Sequence, residues 1–343
     1  MVKKQIAMLP GDGIGPEVLE AAEAVIRALP ELDFDLVEWP CGAGEYLKNG
    51  DPLPKATIEA CRAADAILLG AMGIPSVRWA DGREMAPQID LREIFGLYAG
   101  VRPTKLYNVA HSPLKNPVID YVLVRESTEG LFSTRLRPRV TGADEVRDEM
   151  LVTRAGSERL FRFSFELARH RRNKLTLVDK ANVLPSMAFF REVFDEIARE
   201  YPQVETERVY VDAMALYLVQ RPQSFDVIVT ENMFGDILSD LAAATVGGMG
   251  MAPSADIGDD LAVFQPAHGS APDIAGQGKA NPVATILSVA LMLEWFGDVD
   301  SLSAAGRIRR AVELVMSDAA NATGDLKGGL STRELTAKIV GAL

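Results

Sequence analysis

The chain has 343 residues, 48% of them apolar and 24% charged, which is typical of a compact enzyme with room for two domains. Its 36 basic and 48 acidic side chains leave a formal charge of −12, so neither nucleic acid nor an anionic membrane is an expected partner. The cysteine count of 2 excludes a disulfide framework and a multi-cysteine metal site. No apolar run approaches the roughly 18 residues that span a bilayer, and we therefore expect a cytoplasmic protein.

Short β-rich runs alternate with helical patterns at the start of the chain. Residues 5–9 are a predicted strand and 17–29 a predicted helix, and 33–38, 57–64 and 66–70 continue as strand, helix and strand. This alternation predicts an α/β fold with a largely parallel sheet. Ligands of such folds bind at the junctions that follow the strands.

The same alternation returns in the second half of the chain. Predicted strands cover residues 121–125, 174–178, 209–211 and 226–230, and predicted helices cover about 157–170 and 233–244. An exposed basic arm is expected over residues 131–140, which include Pro138 and Arg139. Ser331 and Glu334 have the spacing of a capping box before a last apolar helix.

A glycine-rich loop, residues 11–17 (GDGIGPE), follows the first predicted strand and opens the first helix. That position suits dinucleotide binding. The spacing, however, is G-x-G-x-G followed by proline, whereas a Rossmann site has G-x-G-x-x-G. The sequence therefore favours a tight strand-to-helix turn over a Rossmann cofactor site.

Three carboxylates are candidate metal ligands. Asp236 and Asp240 are four residues apart and share one face of an otherwise apolar predicted helix, whereas a bare pair of this kind usually lies on a solvated face. Asp212 is predicted to end another strand. Three such oxygen ligands suit Mg²⁺ or Mn²⁺. The three histidines are too scattered along the chain to indicate a zinc site.

Arg92, Arg102 and Arg125 each stand beside apolar residues, an unusual place for a charge that serves only solubility. A guanidinium binds a carboxylate through two parallel hydrogen bonds. Lys180 follows a predicted strand, where a partly desolvated amine can act as a base. Arginines, metal-binding acids and a basic lysine together predict a site for a polycarboxylate.

Four motifs in order resemble the isocitrate and 3-isopropylmalate dehydrogenase family of β-decarboxylating dehydrogenases. They are residues 11–17, 179–184 (DKANVL), 235–240 (GDILSD) and 268–276 (HGSAPDIAG). The resemblance runs along nearly the whole chain without large insertions. The lysine and histidine motifs are most similar to the 3-isopropylmalate dehydrogenase branch.

The resemblance implies a two-domain α/β fold that is distinct from Rossmann and has a large mixed, mostly parallel sheet. The first domain is expected to hold residues 1–98 and 252–343 with the NAD-binding loops. The second domain, residues 99–251, is expected to hold the arm, the metal-binding acids and a dimer interface. The implied assembly is a homodimer with shared active sites.

Roles for individual residues follow from the same resemblance. The arginines that bind the malate part of the substrate match Arg92, Arg102 and Arg125. Metal ligands of the family match Asp236 and Asp240. Catalytic residues that reach in from the partner subunit match Lys180 and Asp212, and Asp212 is also matched as a metal ligand. The implied NAD-binding residues are His268, Gly269, Ser270, Ala271, Pro272, Asp273 and Asn281. Asp273 matches the acid that binds the adenosine ribose in NAD-using members, and Ile274 replaces a tyrosine of NADP users. NAD is therefore the predicted cofactor.

Two departures from the family pattern bear on function. Phe132 stands where the family has the tyrosine that protonates C3, so water, a neighbour such as Ser133 or release of the enol must replace it. The segment before the first arginine has Met85, Gln88 and Ile89, a mixed set that does not identify the C3 substituent.

The expected reaction is NAD-dependent oxidative decarboxylation of a 3-substituted (R)-malate. 3-Isopropylmalate is the first candidate substrate, and D-malate, tartrate and isocitrate remain alternatives. A catalytically impaired regulatory or binding subunit is the alternative from another class, because Phe132 has no proton to donate.

Overall fold

The computed structural model describes residues 3–137, 140, 142 and 144–343, so Pro138 and Arg139 of the predicted arm lie outside the described residues. The strands are β1 Lys4–Gly11, β2 Phe34–Glu38, β3 Ala66–Ala71, β4 Ala99–Lys105, β5 Asp120–Glu126, β6 Lys174–Asp179, β7 Glu205–Tyr210, β8 Val227–Thr230, β9 Pro253–Ile257 and β10 Ala262–Pro266. The α-helices are α1 Gly15–Arg27, α2 Ala43–Asn49, α3 Lys55–Ala63, α4 Pro87–Ile94, α5 Arg154–Arg169, α6 Pro185–Ala198, α7 Val211–Gln220, α8 Asn232–Thr245, α9 Val283–Phe296, α10 Val299–Met316 and α11 Thr332–Gly341.

Contacts divide these elements between two compact units. The first unit consists of Met1–Leu97, Tyr107–Pro113 and Val246–Leu343, and the second of Tyr98–Leu106 and Leu114–Thr245. The functional division into domains that the sequence predicts stays a prediction.

In the first unit the strand order is β2-β1-β3-β10-β9, and only the β9–β10 pair is antiparallel. β3 is buried along its whole length, and the almost entirely buried α9 packs against β9, β10, α1 and α10. The parallel strands β1, β3 and β10 end at the same edge. That edge carries the glycine loop after β1 and the histidine motif after β10.

In the second unit the order is β4-β5-β8-β6-β7, and only the β4–β5 pair is antiparallel. Residues near the strand ends are in register, Arg125 with Thr230 and Asp179 with Tyr210. A cluster of phenylalanines buries the contact between α5 and α6: Phe161, Phe165, Phe190 and Phe194. This core supports the edge from which the loops after β5, β6, β7 and β8 project.

The predicted α/β fold with a mostly parallel sheet is confirmed, and so is the capping box of Ser331 and Glu334 at the start of α11. The predicted strand over residues 209–211 was wrong at its end. β7 stops at Tyr210 and α7 begins at Val211, so Asp212 lies in the first turn of a helix and does not end a strand. A carboxylate is favoured there because it faces the positive end of the helix dipole.

The cysteines and the helices add two facts. Cys41 and Cys61 are buried free thiols, and burial raises the pKa of each to about 12, so both stay protonated at neutral pH. Among the residues that the structure describes, no helix is both long enough and apolar enough to cross a membrane.

Asp12 of the glycine loop joins three segments of the first unit. Its carboxylate is 5% exposed and accepts hydrogen bonds of 2.8 Å from the backbone N–H groups of Ala43, Gly44 and Gly73. Ala43 and Gly44 begin α2, and Gly73 follows β3. The side chain therefore fixes the start of α2 and the loop after β3 against the end of β1.

Replacing Asp12 with Ala should lower the free energy of unfolding by about 2–4 kcal/mol, because three backbone donors lose a charged acceptor. Urea unfolding measures the change. Asp35→Ala is the matched control, since Asp35 pairs with Lys3 on the surface and its replacement should cost less than about 0.5 kcal/mol. Equal losses in the two variants would contradict this role of Asp12.

Candidate active site

Four predicted or newly found site residues lie at or just after the carboxyl ends of parallel strands of the second unit. Arg125 is the second-last residue of β5, Lys180 follows β6, Asp212 lies in the first turn of α7 after β7, and Asn232 begins α8 after β8. The carboxyl ends of parallel strands meet at one edge of a sheet, where α/β proteins bind ligands. We therefore take this edge as the candidate active site of the second unit.

Arg125 is held by residues of α8. Its guanidinium is 3% exposed, and Nε and Nη2 donate to Asn232 Oδ1 at 2.9 and 2.7 Å. Nη1 donates to Asp236, and Asn232 Nδ2 in turn donates to the Glu129 carbonyl at 2.8 Å. Asn232 was missed in the sequence, where its position two residues after a buried strand was the one available signal.

α8 presents the two carboxylates that the sequence singles out. Asp236 and Asp240 lie one turn apart on this helix, and the Asp236 side chain is half exposed. Partial burial, followed in size by the negative charge of Asp236, raises the pKa of Asp240. The positive charges of Arg102 and Arg125 lower it by less. Two mutually repelling carboxylates are the oxygen ligands that a hard divalent cation prefers.

The third predicted ligand is not gathered with this pair. Among the described residues of one chain, no three His, Cys, Asp or Glu side chains form a group that could hold a metal ion. Asp212 instead pairs with Lys180, Nζ to Oδ1 at 2.5 Å, and this hydrogen bond lowers the pKa of Asp212. The Asp212 side chain is 69% exposed. Its assignment as a ligand for a partner subunit's site stays a prediction.

The loop that carries Lys180 has its own support. Asp179 is fully buried at the end of β6, and its carboxylate accepts two hydrogen bonds of 2.7 Å from Arg191. The same carboxylate accepts from the Ala181 backbone N–H at 2.9 Å. These bonds fix the backbone on both sides of Lys180, so its ammonium projects from a rigid turn.

Phe132 lies beside Arg125, with its ring centroid 5.2 Å from the guanidinium carbon. It belongs to a short 3₁₀ turn, Leu131–Thr134. The hydroxyl of Ser133 donates to the Gly130 carbonyl at 2.8 Å. Because that proton is already used inside the turn, Ser133 is poorly placed to replace the missing tyrosine.

Arg92 belongs to the first unit, in the last turn of α4. It is 6% exposed and forms an ion pair with the buried Asp256, Nε to Oδ2 at 3.1 Å. Gln265 Nε2 donates to the same carboxylate oxygen at 2.6 Å. Asp256 and Gln265 were not identified from the sequence, since neither belongs to a motif.

The glycine loop is the tight turn that its spacing favours. The backbone N–H groups of Asp12 and Ile14 donate to the carbonyls of Ala71 and Ser270, both at 2.8 Å, so neither is available to a phosphate. Gly13 has a φ of +60°, and a Cβ at that position would lie 1.9 Å from the Ser270 carbonyl oxygen. The loop therefore packs directly on the histidine motif.

A cavity of about 400 Å³ adjoins the histidine motif within the first unit. It is lined by Ile14, Gly250, His268, Ile274, Lys279, Ala280, Asn281, Gly324 and Asp325. The cavity brings together two predicted cofactor residues, His268 and Asn281. Asp273 is exposed beside Ile274, and the Ser270 hydroxyl donates to the Gly73 carbonyl. Sequence reasoning missed Lys279 and Asp325.

The polar groups of this cavity fit a ligand with hydrogen-bonding atoms. Asn281 Nδ2 donates to Asp325 Oδ2 at 3.1 Å, and Asn281 Oδ1 accepts from the Val283 backbone at 3.1 Å. His268 Nε2 is buried and has no hydrogen-bond partner among the described atoms. A mixed wall with few fixed polar groups is typical of cofactor sites.

Comparisons with known proteins show which family the chain resembles. Among curated proteins, the 3-isopropylmalate dehydrogenase of Moorella thermoacetica is 46% identical, covering 91% of this chain and 90% of the relative. That of Aquifex aeolicus is 43% identical, covering 99% and 97%. Among solved structures, isocitrate dehydrogenase from Methylococcus capsulatus superposes with a TM-score of 0.90 at 39% identity, covering 99% of both chains.

These similarities define an oxidative decarboxylating dehydrogenase, which confirms the predicted enzyme class. Residues 5–339 match the family described as isocitrate/isopropylmalate dehydrogenase. The chain belongs to that family. The predicted fold class and resemblance are thereby confirmed, while the roles of single residues stay predictions.

His268 provides a test of the cavity that needs no substrate. Burial lowers its pKa below the ordinary value of about 6.5, although the Gly269 carbonyl and Asp325 oppose this. Because the pKa is lower in the folded protein, the unfolded chain binds the histidine proton at a higher pH than the folded chain does. The stabilisation by neutral His268 is therefore complete above about pH 6.5 and is lost as the pH falls towards the folded-state pKa.

We expect the NMR signal of the His268 Cε1–H, assigned with a His268→Gln variant, to titrate with a midpoint below about 6.5. The difference in unfolding free energy between wild type and His268→Gln should shrink as the pH is lowered from about 7.5 to about 5. A midpoint at or above the ordinary value would contradict the burial of this imidazole in the cavity wall.

Proposed function

We propose that the protein catalyses the NAD-dependent oxidative decarboxylation of a 3-substituted (R)-malate, with 3-isopropylmalate as the first candidate. The observation that carries the proposal is the contact of Arg125 with Asp236 on α8, one turn before Asp240. It puts a cation for a substrate carboxylate beside oxygen ligands for a metal. The curated relatives, named 3-isopropylmalate dehydrogenases, supply the candidate substrate.

In this proposal Asp236 and Asp240 bind Mg²⁺ or Mn²⁺ together with Asp212 of the partner subunit. When bound, the cation lowers the pKa of the substrate 2-hydroxyl and stabilises the negative charge left when carbon dioxide departs, while NAD accepts hydride from C2. Arg102 and Arg125 orient the malate carboxylates, and Arg92 keeps the role that the resemblance implies. All three guanidiniums are at most 7% exposed, so each would bind a carboxylate with little competition from water.

Lys180 and Asp212 are proposed to remove the proton of the 2-hydroxyl. Their 2.5 Å hydrogen bond allows a proton to pass between them. The ionised state of Asp212 is favoured by its lowered pKa, so it accepts a proton only transiently. Asp179 and Arg191 hold the turn from which Lys180 projects.

His268, Gly269, Ser270, Ala271, Pro272, Asp273 and Asn281 are proposed to form the NAD site. The exposed Asp273 carboxylate would accept hydrogen bonds from the adenosine ribose hydroxyls and repel the 2′-phosphate of NADP. His268, neutral because its pKa is lowered, and Asn281 would contact the cofactor in the cavity.

A second substrate class is favoured by one side chain. Gln88 lies one turn before Arg92 on α4, in the segment expected to face the C3 substituent, and its Oε1 is buried with no hydrogen-bond partner among the residues that the structure describes. An isopropyl group would leave this acceptor unsatisfied, at a cost of about 1–3 kcal/mol. A C3 substituent with a hydrogen-bond donor, such as the hydroxyl of tartrate, would satisfy it.

Exposed apolar side chains support the homodimer. Leu216 and Val219 of α7 and Ile237 of α8 are 51%, 42% and 60% exposed, and the two helices pack on each other. Large apolar side chains exposed on two neighbouring helices favour a surface that another chain covers. Asp212 lies in the first turn of the same helix α7, so covering this face with a second copy would bring Asp212 close to that copy.

A panel of malates tests the proposal directly. We expect wild type with Mn²⁺ to reduce NAD fastest with one of 3-isopropylmalate, tartrate, D-malate and isocitrate, and to use NADP more weakly. Gln88→Leu should raise kcat/KM for 3-isopropylmalate by about tenfold and lower it for tartrate, because the orphan acceptor is removed.

Absorbance of the reduced cofactor and release of carbon dioxide are the two readouts of that panel. Lys48→Leu, a change on the solvent side of α2, serves as the control and should leave all ratios unchanged. Absence of turnover with the whole panel would refute the enzyme and favour a binding subunit. A lower KM for NADP than for NAD would refute the role of Asp273.

Subunit mixing tests whether Lys180 acts across a dimer. Lys180→Ala and Asp236→Asn should each be inactive. A heterodimer of the two has one site with both intact residues, so an equal mixture should recover about a quarter of the wild-type activity. Mass spectrometry verifies subunit exchange. If exchange is complete and activity stays absent, each site is built within one chain.

A further inference from the structure

The loop after β10, residues 268–281, carries every proposed NAD-binding residue, and its position must be fixed for them to act together. We infer that Glu17, in the glycine motif, is the positioning residue that fixes this cofactor loop and thereby sets the affinity for NAD. The inference rests on the proposed function. It assigns a role to the end of the GDGIGPE motif, which neither the substrate nor the metal site uses.

Glu17 binds the backbone of the loop directly. Its Oε2 accepts from the Gly278 N–H at 3.2 Å, and its Oε1 accepts from the Ala280 N–H at 3.0 Å. The two donors flank Lys279, and Ala280 precedes Asn281. One carboxylate therefore holds the backbone next to three residues of the cavity wall.

Thr332, the first residue of α11, closes the same contact from the other side. Its hydroxyl bonds with Glu17 Oε1 and lies 2.6 Å from the Ala280 carbonyl, and its backbone N–H donates to the Gly278 carbonyl at 2.9 Å. Thr332 is 2% exposed. The donors and acceptors of Gly278 and Ala280 are thus paired with α1 and α11.

Glu17 acts on the cofactor only through the loop. It is absent from the residues that line the 400 Å³ cavity and instead lines a separate groove with Gly278 and Thr332. The front of the loop is held independently, by the hydrogen bond from Ile14 N–H to the Ser270 carbonyl. The glycine motif consequently holds the cofactor loop at two points, and Glu17 provides the one nearer Asn281.

The test compares three variants of the intact protein. Glu17→Gln keeps the size of the side chain but removes the charge and one acceptor oxygen. Thr332→Val removes the hydroxyl without changing the charge. Glu20→Gln is the matched control, because Glu20 lies one turn further along α1 and pairs with the exposed Arg333 on the surface.

Two measurements are made on each variant. Hydrogen–deuterium exchange of the peptide covering residues 276–281 is followed without cofactor, and the Kd for NAD is determined by titration. We expect faster exchange and a Kd for NAD about tenfold higher in Glu17→Gln, the change that loss of one hydrogen bond to a charged group gives. Thr332→Val should shift both in the same direction, and Glu20→Gln neither. The KM for the substrate at saturating NAD should stay within about twofold of wild type.

Unchanged exchange in Glu17→Gln would overturn the inference, and so would faster exchange with an unchanged Kd for NAD. An equal effect in Glu20→Gln would also overturn it, since a general weakening of α1 would then be the cause. Failure of the proposed function is seen separately, in wild type alone, as absence of NAD binding before any variant is compared.

Discussion

A buried positive charge determines the arrangement of the candidate site in the second unit. The Arg125 guanidinium is 3% exposed, and a buried charge is tolerated only with a counter-charge and satisfied hydrogen bonds. Asp236 and Asn232 supply these from the first turns of α8. The helix can approach because residue 235 is glycine: a Cβ there would lie 2.7 Å from Cβ and Cγ of Arg125. The position of Asp240, one turn further on, follows from this contact.

The first unit uses carboxylates in a related way. Asp256 neutralises the buried Arg92, and Gln265 keeps that carboxylate in place. Asp12 and Glu17 instead accept from backbone N–H groups, so each ties separate loops to the glycine motif. A charged acceptor forms stronger hydrogen bonds than a neutral one, so these contacts add to the apolar packing of Ala280 against Ile14 and Val18. The glycines of residues 11–17 resemble those of a dinucleotide site, but the acidic residues Asp12 and Glu17 make the contacts that hold the neighbouring loops.

The fold was largely predictable because its signals are local. β3 reads AILLGA and is completely buried, and the capping box of α11 lies within four residues of sequence. The strand-to-helix junction at Val211 was misjudged because a short apolar run continues from one element into the next. That error placed Asp212 at a strand end.

The candidate site was predictable only from motifs and from charges in unusual local surroundings. Asp236 and Lys180 belong to motifs and Arg125 stands beside apolar residues, whereas Asn232 was missed as the partner of Arg125. The two are 107 residues apart, and Glu17 is 263 residues from Ala280. Pairings over such distances depend on which strands become neighbours, and no local pattern records that. For Phe132 the situation is reversed. The sequence alone shows that it replaces the family tyrosine, but the effect on the protonation of C3 depends on the chemistry of the reaction.

The central claim is that this chain turns over substrate although Phe132 cannot donate a proton. Loss of a positioned general acid slows its step by about 100- to 10,000-fold but does not abolish it, since water can replace the acid. The most direct measurement is the number of NADH and carbon dioxide molecules formed per active site by wild type and by Phe132→Tyr, with the best substrate of the panel. We predict many equivalents of both products from wild type, in equal amounts, and a higher rate from Phe132→Tyr. Binding of NAD and substrate with no more than one NADH per site in either protein would contradict the account.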